Sequence, residues 1–194
     1  MTQFDLFGAS ETAAARVLPE GFRYQAEFIT SKEEVALQRE IRDLPFKPFE
    51  FHGYTGKRRT VSFGWHYDFA TEQLRLATVI PPFLDALRAP VANFGDVTAE
   101  SLTQVLVTEY EPGAGIGWHR DKAVFDRIIG ISLGTPCTFR LRRPTPTGWQ
   151  RISVETEPRS IYLLSGIARS EWEHSIPPVH GARHSITFRN LLPR

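Results

Sequence analysis

The second half of the chain constrains the fold most, because short apolar-leaning runs follow one another closely there, with turn-forming residues between them. The character of the sequence changes after Gly95, where these runs begin. Short strands at such close spacing are typical of a β-sandwich or a jelly roll. We predict strands at residues 102–110, 127–133, 138–141, 151–154, 160–164 and 185–191.

Helical patterns precede these strands, so the predicted fold class is α+β. Ser31 and Glu34 fit a capping box, and apolar residues then recur at helical spacing until Pro45 ends the helix. Pro90 argues against the later part of a second predicted helix, which begins at the proline pair 81–82. The apolar face of this second helix consists of Leu84, Leu87, Val91 and Phe94.

Size and composition exclude several classes of protein. The 194 residues fit one domain, large enough to bury about 70% of its unfolded surface. A formal net charge of +1 excludes a strongly basic, histone-like binder, so any nucleic-acid affinity has to be local. The single cysteine, Cys137, indicates a reducing compartment, and no run reaches the roughly 18 apolar residues of a membrane span. We therefore expect a soluble, cytoplasmic protein with a flexible arm at residues 1–17.

A glycine-rich turn after Tyr110 ends in the pair His119-x-Asp121. Successive side chains alternate faces in an extended segment, so this imidazole and this carboxylate point the same way. Two metal ligands can therefore share one strand end, and His174 is the best downstream candidate for a third. Two histidines and one carboxylate are the ligand set of non-haem Fe(II) oxygenases. Each candidate also has an interpretation without a metal. His119 and Asp121 can belong to a solvated loop, and His174 can be a loop residue packed beside Trp172.

Arg183 and Arg189 form a second pattern near the end of the chain. Their even separation places both guanidinium groups on one face of a strand, with Ser185 and Thr187 between them and His184 on the other face. The rigid fork of arginine pairs bidentately with carboxylates, so two such forks beside a metal can hold a dicarboxylate co-substrate. The alternative to a co-substrate site is that both arginines belong to a cationic face on the protein surface.

This ordered pattern resembles the AlkB family of Fe(II)- and 2-oxoglutarate-dependent dioxygenases. The resemblance is specific over about residues 102–192 and weaker upstream. The residues that carry it are Tyr110, His119, Asp121, His174, Arg183, Arg189 and Asn190. The resemblance implies a double-stranded β-helix (jelly roll) core, with N-terminal helices and a segment like a nucleotide-recognition lid.

The resemblance also implies Fe(II), 2-oxoglutarate as co-substrate and O2. The implied metal ligands are His119, Asp121 and His174. The implied co-substrate contacts are Tyr110, Arg183, Arg189, Ser185 and Thr108, of which the last two stand where the family often has asparagine. Arg183 would pair with the distal carboxylate of 2-oxoglutarate, and Arg189 would support either the proximal end of the co-substrate or Asp121. We expect a dry apolar shell from Ile131, Leu133, Phe139 and Leu163.

A basic and aromatic stretch lies upstream, where the family carries its recognition lid. Cations beside stackable rings suit phosphate contacts and a flipped or single-stranded base; the alternative is a solvated hairpin turn above core aromatics. The residues concerned are Lys57, Arg58, Arg59, Trp65 and Tyr67. A second phosphate contact is expected from Arg140, Arg142 and Arg143.

The expected organisation is one compact domain, with helices and lid in residues 18–97 and the dioxygenase core in residues 98–194.

The expected function is oxidative demethylation of N-alkylated bases in DNA or RNA, with release of formaldehyde, succinate and CO2. Ala123 stands where the family prototype has an acidic residue near the substrate base, so the substrate cannot simply be copied across. The alternative is the same oxygenase chemistry on a protein side chain or a small molecule. A catalytically idle jelly-roll module is the third hypothesis, and the retention of the whole site pattern argues against it.

Overall fold

The protein is described here by a computed structural model that covers residues 18–51, 54–68, 73–76 and 78–192. The arm predicted at residues 1–17 lies outside this part of the chain. The elements of the first half are β1 (Phe22–Gln25), α1 (Ser31–Arg42), β2 (Lys47–Phe51), β3 (Tyr54–Asp68), β4 (Gln73–Leu76), α2 (Pro82–Asp85) and α3 (Arg88–Gly95). A 3-10 turn at Ala99–Ser101 connects α3 to the second half.

The second half is almost entirely β-structure. Its elements are β5 (Gln104–Tyr110), β6 (Ile116–His119), β7 (Phe125–Gly134), β8 (Cys137–Thr145), β9 (Gly148–Thr156), β10 (Ile161–Leu164), α4 (Gly166–Ser170), β11 (Glu173–Ile176) and β12 (Arg183–Leu191). All six predicted strands are present. Two further strands, β6 and β11, were not predicted. Each has only four residues, like β10, but neither is the continuous apolar run that indicates β10.

Two antiparallel sheets form the jelly roll. The major sheet has the strand order β1-β10-β7-β12-β5-β3-β2, with β4 paired to β3. The minor sheet has the order β6-β11-β8-β9. Apart from the hairpins β2–β3, β3–β4 and β8–β9, strands adjacent in each sheet are not consecutive in the chain. This is expected for a double-stranded β-helix, and the predicted jelly roll is confirmed.

Helix α1 begins one residue earlier than the capping box predicted from the sequence. Thr30, not Ser31, is the N-cap, and its side chain and that of Glu33 complete the box. Glu34 is buried instead, and its carboxylate accepts a hydrogen bond of 2.8 Å from the backbone N–H of Gly134. Thr30 with Glu33 and Ser31 with Glu34 both have the spacing of a capping box. The second pair does not form the box, because the carboxylate of Glu34 is the acceptor for the backbone N–H of Gly134 in β7.

The predicted second helix is divided into α2 and α3. A continuous helix would require an N–H from Pro90 for the carbonyl of Ala86, and proline has none. The chain therefore begins a new helix at Arg88, which places Pro90 in a first turn, where the missing donor costs nothing. The longest described helix, α1, has 12 residues, and no helix among the described residues is long and apolar enough to cross a membrane.

Apolar side chains form two separate cores, one on each face of the major sheet. The outer core lies between the sheet and α1 to α3, and it includes Ile131, Leu133 and Leu163. The inner core fills the space between the two sheets and includes Phe139. The expected dry shell was therefore wrong for three of its four members. Strands buried on both faces carry apolar residues at odd and even positions, so alternation cannot tell which set faces the site.

Candidate metal and co-substrate site

The three predicted metal ligands meet between the sheets. His119 ends β6 and lies directly opposite His174 of β11, with 4.2 Å between the ring centroids. Asp121 follows two residues after His119, and its Oδ2 lies 3.5 Å from Nε2 of His174. One ligand atom from each residue can be chosen so that all lie within 4.8 Å of one another. Two imidazoles and one carboxylate in this arrangement fit an Fe(II) ion.

Charge and burial keep these groups in the forms that bind metal. Burial opposes the charge of the Asp121 carboxyl, but Arg189, His174 and His119 outweigh it and lower the pKa of Asp121. Arg189 donates two hydrogen bonds to Oδ1 of Asp121, of 3.1 Å from Nε and 2.7 Å from Nη2. Burial, reinforced by His119, lowers the pKa of His174 to about 3. His174 is therefore a neutral imidazole at physiological pH, as a metal ligand must be.

The side chains of the candidate ligands are also held in orientation. Nδ1 of His119 lies 2.9 Å from the carbonyl oxygen of Gly117, which directs Nε2 away from the backbone. The ring of Phe139 stacks on that of His174, with 5.2 Å between centroids and 14° between planes. A Cβ at Gly115 would approach the carbonyl oxygen of Ile176 to 2.6 Å, so this position of the turn requires glycine. The glycine turn thus packs directly against the strand that carries His174.

Arg183 is fully buried at the start of β12. Its Nη2 donates to Oγ of Ser132 at 3.2 Å, and its guanidinium lies 4.7 Å from the ring centre of Tyr110. Its Nε and Nη1 have no hydrogen-bond partner among the described residues. Unsatisfied cationic donors in a buried site are costly, and each of these two nitrogens can donate to a carboxylate oxygen that enters the site. The donor set of the site therefore fits 2-oxoglutarate as well as Fe(II).

A row of hydroxyl groups lies beside Arg183 on the inner face of the major sheet. Ser185 of β12 pairs in register with Thr108 of β5 on one side and with Ser132 of β7 on the other. Arg189 lies farther along β12, where Nη1 donates to Oε1 of Gln104 at 2.9 Å. The surface between the two arginines is therefore lined with small hydroxyl donors instead of longer amide side chains.

Three residues of this site were missed from the sequence. Ser132 and Gln104 are the hydrogen-bond partners of Arg183 and Arg189. Tyr162 is buried on β10, with its ring centroid 4.8 Å from that of Phe139. Burial raises the pKa of the Tyr162 hydroxyl, so the group stays protonated. A single polar residue within an apolar run, as in 161–164, is the signal that could have identified Tyr162.

Gly130 leaves the space that Tyr162 occupies, because a Cβ on Gly130 would overlap the Tyr162 ring. We expect Gly130→Ala to lower the free energy of unfolding by about 1–3 kcal/mol, since the ring is buried and cannot move aside freely. Denaturant unfolding measures this. The control is Gly117→Ala, where an added methyl meets no atom within 4 Å. An unchanged stability of Gly130→Ala would show that the ring does not lie there.

The predicted lid residues lie in different environments. Arg58 is half-buried on the inner face, in register with Tyr110, where it stacks 3.7 Å from the ring centre of Phe49 and donates to the Gly115 carbonyl at 3.4 Å. Arg59 faces the other side and pairs with the carboxylate of Glu109. Lys57 is exposed and Trp65 is half-buried, while the side chain of Tyr67 lies outside the described residues.

Comparison with known proteins agrees with this geometry. The profile of the 2OG-Fe(II) oxygenase superfamily matches residues 21–189. The chain belongs to this superfamily. It is a 2-oxoglutarate-dependent dioxygenase with Fe(II), 2-oxoglutarate and O2 as cofactors, as the site pattern indicated.

Relatives of this oxygenase confirm the resemblance to the AlkB family. "Uncharacterized protein L905" of Acanthamoeba polyphaga mimivirus is 34% identical over 89% of this chain and 85% of its own length. "Alkylated DNA repair protein ALKBH8 homolog" of Arabidopsis thaliana is 30% identical over 62% of this chain, but over only 42% of its own length. The oxygenase spans a quarter of mouse "tRNA (carboxymethyluridine(34)-5-O)-methyltransferase ALKBH8", at 27% identity over 83% of this chain.

Two solved structures share the fold. The structure of OsALKBH1 superimposes with a TM-score of 0.69 and 16% identity, over 90% of this chain and 99% of the other. A prolyl-4-hydroxylase from Pseudomonas putida superimposes with a TM-score of 0.59 and 17% identity, over 89% and 94% of the two chains. At these identities the likeness shows the jelly-roll fold alone.

Proposed function

We propose that this oxygenase oxidatively demethylates N-alkylated bases of nucleic acid. The observation that carries the oxygenase part is the pair of unsatisfied donors on Arg183 beside the cluster of His119, Asp121 and His174. In this proposal the cluster holds Fe(II), and Arg183 and Tyr110 bind the distal carboxylate of 2-oxoglutarate. Ser185 and Thr108 contact the co-substrate from the hydroxyl row.

Arg189 has a supporting role in this proposal. Its two hydrogen bonds to Oδ1 of Asp121 leave Oδ2, which faces His174, as the metal-binding oxygen. The pair also keeps the carboxylate charged and fixed in a buried site. When bound, the metal and co-substrate activate O2 to oxidise a C–H bond of an N-methyl group, which then leaves as formaldehyde. The protein positions these groups and keeps water out with the inner core, which includes Phe139.

Nucleic acid is the substrate class that the surroundings of the site favour. Two relatives are named for repair of alkylated DNA and for a tRNA methyltransferase. Lys57 is exposed next to the site-facing Arg58, and Trp65 follows on the same strand. A cation and an aromatic ring on one strand suit a phosphate and a stacked base. We propose that β2 and β3, within residues 18–97, form the recognition lid over the core of residues 98–194.

The test is incubation of the full chain with Fe(II), ascorbate, 2-oxoglutarate and a panel of methylated single-stranded DNA and RNA. We expect the demethylated base, formaldehyde and succinate in equal amounts, and none of them with His119→Ala. Lys57→Glu should raise KM for the nucleic acid, whereas Arg39→Glu on the exposed face of α1 should not. Succinate formation without formaldehyde across the whole panel would instead indicate a protein or small-molecule substrate.

A further inference from the structure

The outer face of the minor sheet carries arginine and tryptophan side chains that the proposed reaction does not use. Leu141 and Ile152 are cross-strand partners that point into the inner core, so their neighbours Arg142 and Arg151 point outward. Trp118 likewise points outward, because it precedes the metal-facing His119 in β6. Arg140 and Arg142, two of the three arginines expected from the sequence to contact phosphate, therefore share a face with indole rings. Arg143 has the other orientation and pairs with Glu171 at 3.1 Å.

These side chains form a stacked layer. The guanidinium of Arg142 lies 4.4 Å from the ring centre of Trp118 and 4.1 Å from that of Trp149, so it lies between two indoles. Arg140 lies 5.0 Å from the Trp118 ring centre. Trp149, at one end of the layer, is 40% exposed. We call the layer formed by Trp118, Arg140, Arg142, Trp149 and Arg151 the tryptophan–arginine face.

Positive charge is in excess on this face. Two carboxylates accompany the three arginines of this face: Glu173 is paired with Arg142 at 2.7 Å, and the exposed Glu155 accepts a hydrogen bond of 2.8 Å from Oγ1 of Thr138. Nε of Arg140 donates a hydrogen bond of 3.0 Å to Oγ of Ser175, and the two terminal nitrogens of Arg140 take no part in that bond. Arg151 is exposed and makes no ion pair among the described residues. An exposed indole flanked by uncompensated guanidinium groups is complementary to a base flanked by phosphates.

The tryptophan–arginine face also lies at the metal end of the sheet. His174 pairs with His119 and with Leu141 in one row of the inner face. The next row toward the ends of the strands contains Arg142, paired with Glu173 on one side and with Arg151 on the other. The metal cluster and the tryptophan–arginine face are thus separated by the thickness of one sheet, at the same edge.

We propose that the tryptophan–arginine face binds the single strand that continues from the reacting nucleotide. This inference rests on the proposed function, because it assumes a nucleic-acid substrate. Trp149 stacks on a base, and Arg140 and Arg151 contact the phosphates beside it. The strand passes from the metal site over the rim formed by the β8–β9 hairpin, whose turn is limited to residues 146–147. The surface thus selects polymeric substrates over free nucleosides.

The test measures binding of fluorescently labelled oligothymidylate to the full chain by anisotropy. We expect Trp149→Ala to weaken binding roughly 5- to 150-fold, since stacking contributes about 1–3 kcal/mol per base. Trp149→Phe should retain most of the affinity, because it keeps a stackable ring. Arg151→Gln should reduce the slope of log K against log salt by about 0.7, the change for one single-strand phosphate contact. The matched control, Arg39→Gln on α1, should change neither quantity.

A catalytic comparison separates failure of this inference from failure of the proposed function. Trp149→Ala should raise KM for a long methylated oligonucleotide and leave both kcat and turnover of a methylated trinucleotide unchanged. Oligonucleotide binding that none of the variants alters would overturn the inference while leaving the proposed demethylation intact. Equal competition by polyglutamate would also overturn it, since a general anion surface needs no stacking. Absence of formaldehyde from every methylated nucleic acid would overturn the proposed function itself.

Discussion

Replacing Arg183 by methionine is expected to abolish binding of 2-oxoglutarate while the protein stays folded. Arg183 is fully buried, and its unsatisfied N–H groups can donate to a carboxylate oxygen. Loss of one partner of a buried charge pair costs about 2–5 kcal/mol, so the Kd for 2-oxoglutarate should rise at least about 30-fold. The ligand-free protein should lose little stability, because methionine removes two donors that lack partners together with the one bond to Ser132.

Thermal unfolding with and without 2-oxoglutarate or its unreactive N-oxalyl analogue measures both effects. The unaltered protein should gain Tm with either ligand, and Arg183→Met should not. Arg127→Met is the matched control, because that arginine binds the Gly95 carbonyl at 2.8 Å, away from the proposed co-substrate contacts. A ligand-induced rise in Tm that survives in Arg183→Met would show that the co-substrate binds elsewhere.

Replacing Asp121 by alanine is expected to remove the metal and to lower the free energy of unfolding by about 3–5 kcal/mol. The side chains of Asp121 and Arg189 are only 9% and 10% exposed, so the alanine variant leaves a buried guanidinium without its carboxylate. Metal content after loading with Mn(II), together with denaturant unfolding of the metal-free protein, measures the two losses separately.

The double variant Asp121→Ala with Arg189→Met distinguishes the two roles of Asp121. It should recover most of the stability of the metal-free protein, because neither buried charge remains unpaired. It should still bind no metal, because one of the three ligands is absent. Recovery of metal binding in the double variant would contradict the assignment of Asp121 as a ligand. Equal stability of the single and double variants would contradict the pairing with Arg189.

The alternation of side chains along a strand predicted correctly which residues of one strand share a face. His119 and Asp121 lie on one side of the chain because their separation is two, and Arg183 and Arg189 share the buried face of β12 because theirs is six. The other six strands of the second half were also predictable, because each contains a run of β-forming residues between turn signals. By contrast, β11 contains no such run, and His174 is placed by its pairing with β6 and β8.

The inner and outer cores mark where local rules failed. Ile129 and Ile131 pack against the helices, while Ile128 on the same strand faces the site. All three are apolar, so the sequence of β7 has no polar face that would show its orientation. Tyr162 was missed for the same reason, because its apolar neighbours indicate a buried strand without showing which residues reach the site.

The sequence by itself determined the family and the candidate ligand set, because these depend on residue identity, on the order of the residues and on short-range alternation. Only the tertiary structure decided what each charged group pairs with. Arg189 reaches Asp121 across 68 positions of the chain, and Glu34 reaches Gly134 across 100. Such pairs form because two sheets close around one site, where each buried charge or donor must find a partner. That requirement follows from the shape of the site, which no local pattern contains.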